Sequence, residues 1–180
     1  MIGSVKIVRN NSAIVSKVYV PKFILVIQKM LVNGFKMVIS FILMVIMMFF
    51  FRVPITWKIL YMIPIVLILW ILTFGISNLM LHFGVFVEDL RNVMTVLLKL
   101  TFYMSGIFYS IPKRVPAPYD EFLMRVNPIA FLLNSARGCM LYGEAPSVQM
   151  LLFWGLFGLV VSCVSIKILY KYENSYVKVI

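Results

Sequence analysis

The chain has 180 residues, of which 63% are hydrophobic and only 13% charged, and its mean hydropathy is +1.02. Soluble domains carry roughly half apolar and a quarter charged residues, so a water-soluble fold is excluded and an integral membrane protein is implied. The formal charge of +11 would suggest nucleic acid in a soluble domain, but here the bases cluster beside apolar runs and read as membrane topology, with no nucleic-acid partner.

The first 22 residues form a polar, basic lead with Lys6, Arg9, Lys17 and Lys22 and no acid. They lack the compact apolar core of a signal peptide. Residues 23–170 then read as the membrane domain. A span needs about 20 mostly apolar residues, and four segments qualify, at about 23–51, 59–81, 93–111 and 150–170. Four crossings put both ends on one side. Lys167, Lys171 and Lys178 outweigh Glu173 at the far end, so both ends are expected in the cytoplasm. The segment 112–149 is then external, and 171–180 is a cytoplasmic tail. The expected fold is all-α, a polytopic helical membrane protein with four transmembrane helices plus a short external re-entrant helical segment. The short connection carrying Arg52 and Lys58 falls outside, against the usual charge bias.

In the first span Lys22, Lys29 and Lys36 recur every seven residues, with Asn33 and Ser40 on the same side. At 3.6 residues per turn this is one polar stripe on an apolar helix. Two roles stay open: the lysines snorkel to headgroups, or Lys29 and Lys36 line the mouth of a path for an anionic substrate. The second span holds Asn78 and His82, and His82 is given no chemical role. Glu88 and Asp89 precede the third span, where acids favour the positive end of a helix, and Asp89 is expected to cap it. Phe102, Tyr103, Phe108 and Tyr109 close the third span. They suit an interfacial belt or a surface on which sugar rings stack.

The stretch 127–143, NPIAFLLNSARGCMLYG, is too broken for a span and too apolar for a loop. Asn127-Pro128 reads as a helix start, cap then first turn. Ile129, Leu132, Leu133 and Ala136 repeat at helical spacing, Arg137 follows, and Gly138 and Gly143 offer breaks. Too short to cross, the run is expected as a shallow external or re-entrant helix. Arg137 either pairs with Asp120, Glu121 or Glu144 or meets a passing phosphate. In the fourth span Gly155, Gly158, Ser162 and Ser165 give a small-residue side that permits close helix approach. Cys139 and Cys163 offer no disulfide framework.

VFVEDLRN (85–92), FYMSGIFYSIP (102–112) and the 127–143 stretch, in this order, resemble the second half of the permease subunits of type-2 ABC exporters. The closest resemblance is to the branch that exports polysaccharides, O-antigen and teichoic acids across the bacterial inner membrane. Phe86, Asp89, Leu90 and Arg91 fit the family's aromatic–Arg–Asp–Leu pattern, while Val87 and Glu88 depart from it; Ser105-Gly106 stands where the family usually has Ser-Pro. Residues 10–22 look like the cytoplasmic stretch that docks on the ATPase, matched by Asn11, Ile14, Lys17, Val18, Tyr19 and Pro21. The family's first two transmembrane helices have no counterpart, so Met1 is either a start inside a disrupted frame or the start of a half-length subunit. The resemblance implies a homodimer working with ABC ATPase subunits in the lipid membrane on a lipid-linked glycan. Asp89, Arg91, Asn127 and Pro128 would be structural, and Lys29, Lys36, Phe102, Tyr103, Phe108, Tyr109 and Arg137 would line the path.

The chain has no G-x-x-x-x-G-K-[ST] run, so no cofactor is expected on it and ATP with Mg belongs to the partner subunit. No metal-spaced Cys or His pair and no nucleophile set is present, which argues against an enzyme. The rival readings are a permease for drug or lipid efflux and a non-transporting membrane scaffold.

Overall fold

The computed structural model describes residues 2–5, 7, 21–53, 56–87, 89–109, 111–116 and 118–172. Every regular element among them is helical. A single turn, α1 (Ile2–Val5), precedes the long α2 (Lys22–Phe50). A 3₁₀ stretch (Trp57–Tyr61) runs into α3 (Met62–Phe86), followed by α4 (Leu90–Met104). Three short helices, α5 (Ile111–Arg114), α6 (Tyr119–Val126) and α7 (Pro128–Arg137), lead to a π-helical turn (Gly138–Tyr142) and the last helix, α8 (Val148–Lys171).

Three of these are long and apolar enough to cross a bilayer: Lys22–Phe50, Trp57–Phe86 and Val148–Lys171. They correspond to the first, second and fourth expected spans. The third differs. Its helix starts at Leu90 and stops at Met104, and 15 residues at 1.5 Å each reach only about 22 Å of a hydrocarbon layer about 30 Å thick. It stops because Gly106 turns the chain with φ +66°, a left-handed conformation open to glycine.

Two apolar clusters define two poles. At the first, Leu25 and Val26 from the start of α2 meet Leu81 and Val85 from the end of α3 and Leu169 from the end of α8. Around them Phe23 lies 6.0 Å from Tyr170, and the His82 ring lies 5.0 Å from that of Tyr172. At the second pole Ile65 and Ile68 from the first half of α3 meet Phe131, Leu132 and Cys139, with Leu151 and Trp154 from the start of α8. Helices α2 and α3 are therefore antiparallel, whereas α3 and α8 run parallel.

The α3–α8 seam makes the direction explicit, because its facing positions rise together. Gly155 faces Ile68, Gly158 faces Ile71 and Leu72, and Gly75 faces Ser162. A Cβ on Gly75 would lie 2.9 Å from the Ser162 backbone nitrogen, so only glycine lets the two backbones come this close. The Ser162 hydroxyl crosses the seam to donate to the Ile71 carbonyl at 3.0 Å, and the Ser165 hydroxyl donates to the Ser162 carbonyl at 2.8 Å. A parallel pair needs a return. The chain between Phe86 and Pro128 therefore climbs from the first pole to the second, and α4 makes most of the ascent.

Helix α2 contributes little to this core. It buries Lys22, Leu25, Val26, Gly34 and Met48, and leaves Phe35, Leu43, Ile46 and Phe49 exposed along its length. Such a surface is suited to hydrocarbon, where apolar side chains gain nothing by leaving lipid for protein.

Replacing Gly75 by Leu should force α3 from α8 and destabilise the protein by about 1–3 kcal/mol, read as a fall in melting temperature in detergent. In a Cys139→Ser, Cys163→Ser background, Ile68→Cys should cross-link to Gly155→Cys. An unchanged melt together with absent cross-linking would remove the parallel seam.

Candidate functional site at the second pole

The residues that close α4 and open α7 form one hydrogen-bonded knot. The Ser105 backbone N–H donates to the Thr101 carbonyl at 2.9 Å, and its hydroxyl donates to the same oxygen at 2.6 Å. The Asn127 amide nitrogen then donates to the Ser105 hydroxyl oxygen at 3.2 Å. On its other side, the Asn127 Oδ1 accepts from the N–H groups of Ile129 at 3.0 Å and Ala130 at 3.3 Å. One side chain thus caps α7, with Pro128 in its first turn, and ties that helix to the end of α4.

Arg137 completes the knot from the other end of α7. Its Nη1 donates to the Tyr109 carbonyl at 3.2 Å, and its Nη2 donates to the carbonyls of Gly106 at 3.2 Å and Ile107 at 3.1 Å. These oxygens lie in the turn after α4, where no helical N–H reaches them, and in an apolar layer each would be costly to leave bare. A cation there also answers the negative end of the helix dipole. Arg137 binds these backbone carbonyls, and of its two expected roles the pairing with Asp120, Glu121 or Glu144 is not the one formed. Glu121 is engaged by Arg125 at 3.3 Å, a pair exposed on both sides and worth little.

The aromatic residues stand around this turn. Phe102 packs edge-on against Tyr103 and Phe108, each with centroids 5.6 Å away. The Tyr109 hydroxyl donates to the Tyr103 carbonyl at 3.0 Å. Tyr103 is 67% and Phe108 82% exposed, so their ring faces are uncovered. Gly138 does not break the chain as expected. The helix widens there into the π turn and stops at Gly143, whose φ of +61° lets the Glu144 N–H return to the Gly138 carbonyl at 3.0 Å. The turn buries Cys139 against α3, and burial pushes its thiol pKa up, with Lys58 pulling weakly the other way. Cys139 and Cys163 are both free.

The remaining expected site residues lie elsewhere. Lys29 and Lys36 are on α2, away from the aromatic turn, and both are exposed. Asp89 precedes α4 but makes no side-chain capping bond; its backbone carbonyl instead accepts from Asn92 at 2.9 Å and Val93 at 3.2 Å, so the expected cap is corrected to a main-chain turn. Arg91 is exposed on the same first turn. Pro21 stands just before α2, and its carbonyl accepts from the Ile24 N–H at 3.0 Å. Asn11, Ile14, Lys17, Val18 and Tyr19 fall outside the described residues. Sequence reasoning missed that Ser105 and Asn127 would meet; a hydroxyl at the end of one broken helix and an Asn-Pro start at the next were the available signals.

A family model described as ABC-2 type transporter matches residues 11–141, well over half of the chain. No curated protein and no solved structure shows a match.

Arg137→Gln should expose the 105–109 turn and cost about 1.5–3 kcal/mol, the usual loss for hydrogen bonds from a charged donor. Amide hydrogen exchange should show faster exchange in residues 105–109, with Arg137→Lys intermediate. Unchanged exchange in Arg137→Gln would show that the turn does not depend on the guanidinium.

Proposed function

We propose, from the premise that this chain belongs to the ABC-2 type transporter family, that it is the permease subunit of an ATP-driven exporter of polysaccharide, O-antigen or teichoic acid. The chain is an integral membrane protein of a transport family, and such permeases work with an ABC ATPase. In our reading the first pole faces the cytoplasm, the chain sits in the inner membrane, and two copies pair with two ATPase subunits. ATP-driven closure of those subunits pushes on residues 10–22 and rocks the helices, opening a path toward the second pole.

Four crossings are part of this proposal. Support comes from the parallel run of α3 and α8, which obliges the intervening chain to climb between the poles. Helix α4 with the turn after it would be the third crossing, and α6 and α7 the re-entrant outer segment.

The observation that carries the glycan reading is the open aromatic turn at the second pole. Tyr103 and Phe108 present exposed ring faces there, beside a turn that Arg137 and Asn127 hold in place. Flat apolar faces with a polar edge suit a ligand such as a sugar ring, with an apolar C–H face and a hydroxyl rim. Arg137 contributes by shaping this exit; Lys29 and Lys36 supply cations on the opposite half of α2.

Lys17→Ala combined with Tyr19→Ala should cut co-purification of the ATPase partner about tenfold, a loss of about 1.4 kcal/mol, while leaving the permease in the membrane. Undiminished co-purification would sink the docking assignment. In cells dependent on this exporter, Lys36→Ala should reduce surface display of an anionic glycan without altering assembly. Normal display would return Lys36 to snorkelling. Transport of a hydrophobic dye but not of lipid-linked glycan by reconstituted protein would replace the glycan reading with drug or lipid efflux.

A further inference from the structure

A second polar site lies at the other end of the molecule; the family match assigns it no ligand, and the exporter reading uses only its Lys29, as a cation beside the path. Where α1 and the first half of α2 rest on α3, Ser4, Lys29, Asn33, Thr73 and Ser77 line a cavity of about 150 Å³. No carboxylate of a described residue lines it. Ser4 and Ser77 are 2% and 1% exposed, so both are nine-tenths buried, and neither hydroxyl bonds to another described residue. Three hydroxyls, a carboxamide and an ammonium group therefore border one small space.

We propose that this cavity binds a phosphate group, that of an anionic phospholipid headgroup. Its size suits the ligand, since a phosphate takes the place of only a few waters at about 30 Å³ each. Its chemistry suits it too: the described lining offers hydroxyl, amide and ammonium donors, and its described cation is a lysine, a point-charge partner for phosphate. Depth agrees as well. Lys29 lies seven residues into α2, about 10 Å along the helix from Lys22, near the level where headgroups give way to acyl chains.

The surroundings extend the match from phosphate to lipid. The cavity shares Met30 and Trp70 with an apolar groove of about 360 Å³, completed by Ile27, Ile71, Phe74 and Leu159. A lipid phosphate seated on Lys29 would lay an acyl chain along Trp70, which itself packs over Gly34. A lysine that merely snorkels needs neither buried hydroxyls nor an apolar groove beside them. The site separates Lys29 from Lys36, which lies outside the cavity lining on the same helix.

Native mass spectrometry of the full chain, purified in detergent with added phosphatidylglycerol or phosphatidylcholine, tests this directly. The wild type should retain phosphatidylglycerol in preference to phosphatidylcholine. Lys29→Gln and Ser77→Ala should each lower that retention about tenfold. Lys167→Gln, which removes a lysine from the same pole but outside the cavity, should leave it unchanged. Equal retention by Lys29→Gln, or an equal loss in Lys167→Gln, would overturn the site in favour of general surface attraction. Inorganic phosphate at millimolar concentration serves as the competing arm. Failure to displace the lipid supports the headgroup assignment, whereas displacement without any lipid preference assigns the pocket to free phosphate and overturns the lipid. None of these readouts depends on export, so the site stands or falls apart from the transport proposal.

Discussion

The close approach of α3 and α8 is the constraint on which the rest of the architecture hangs. In a bilayer, apolar side chains have no water to escape, so helices associate through packing and hydrogen bonds. Here Gly75 lets the Ser162 backbone come within van der Waals range, and the Ser162 hydroxyl reaches the Ile71 carbonyl across the gap. Two helices joined this way in parallel cannot be sequence neighbours through a short loop. The residues between them must return from the first pole to the second, and the broken, amphipathic character of α4 to α7 accompanies that return.

The return creates a second problem, which Arg137 and Asn127 solve. A chain that breaks its helix at Gly106 leaves carbonyls without helical donors, and where such groups are buried other protein groups must reach them. A guanidinium carries fixed, fork-shaped donors and stays charged, so one residue can hold three carbonyls of the turn. The same knot leaves Tyr103 and Phe108 bare at its rim.

Much of this was legible in the sequence, and the failures have physical causes. The three long helices followed from uninterrupted apolar length, and the start of α7 from Asn127-Pro128, because both signals are local. The capping assignment at Asp89 failed because a carboxylate before a helix is favoured by charge without having to bond the N–H groups, and here the backbone carbonyl does that work. Helix α4 ends at Met104 although apolar residues run on to Ile111, because the turn depends on one glycine and on an arginine far along the chain. Nothing in spacing announced that Lys29 would share a cavity with Ser4 and Ser77, because that meeting depends on how α1 folds back on α3.

Asn78, Asp120 and Trp154 each bury a polar atom with no partner among the described residues, and Asn78 is the one on the α3 side of the seam. Between Ile68 and Gly75 the α3–α8 seam is tight and its crossing hydrogen bond is made. One turn further on, Asn78 is fully buried with neither amide atom bonded. An unanswered buried amide costs about 1–3 kcal/mol, enough to offset much of what close packing contributes there. The inner stretch of α3 is thus held less by its own contacts than by the cluster of Leu81, Val85 and Leu169 beyond it and by the short helix α1 lying across Gly84. Along the α3–α8 seam the stretch at Asn78 is weaker than that at Gly75, and it adjoins the part of α3 that carries Thr73 and Ser77. A ligand bridging Lys29 to Ser77 would hold α2 against that weaker stretch, so occupancy of the cavity and the stability of the first pole are physically coupled.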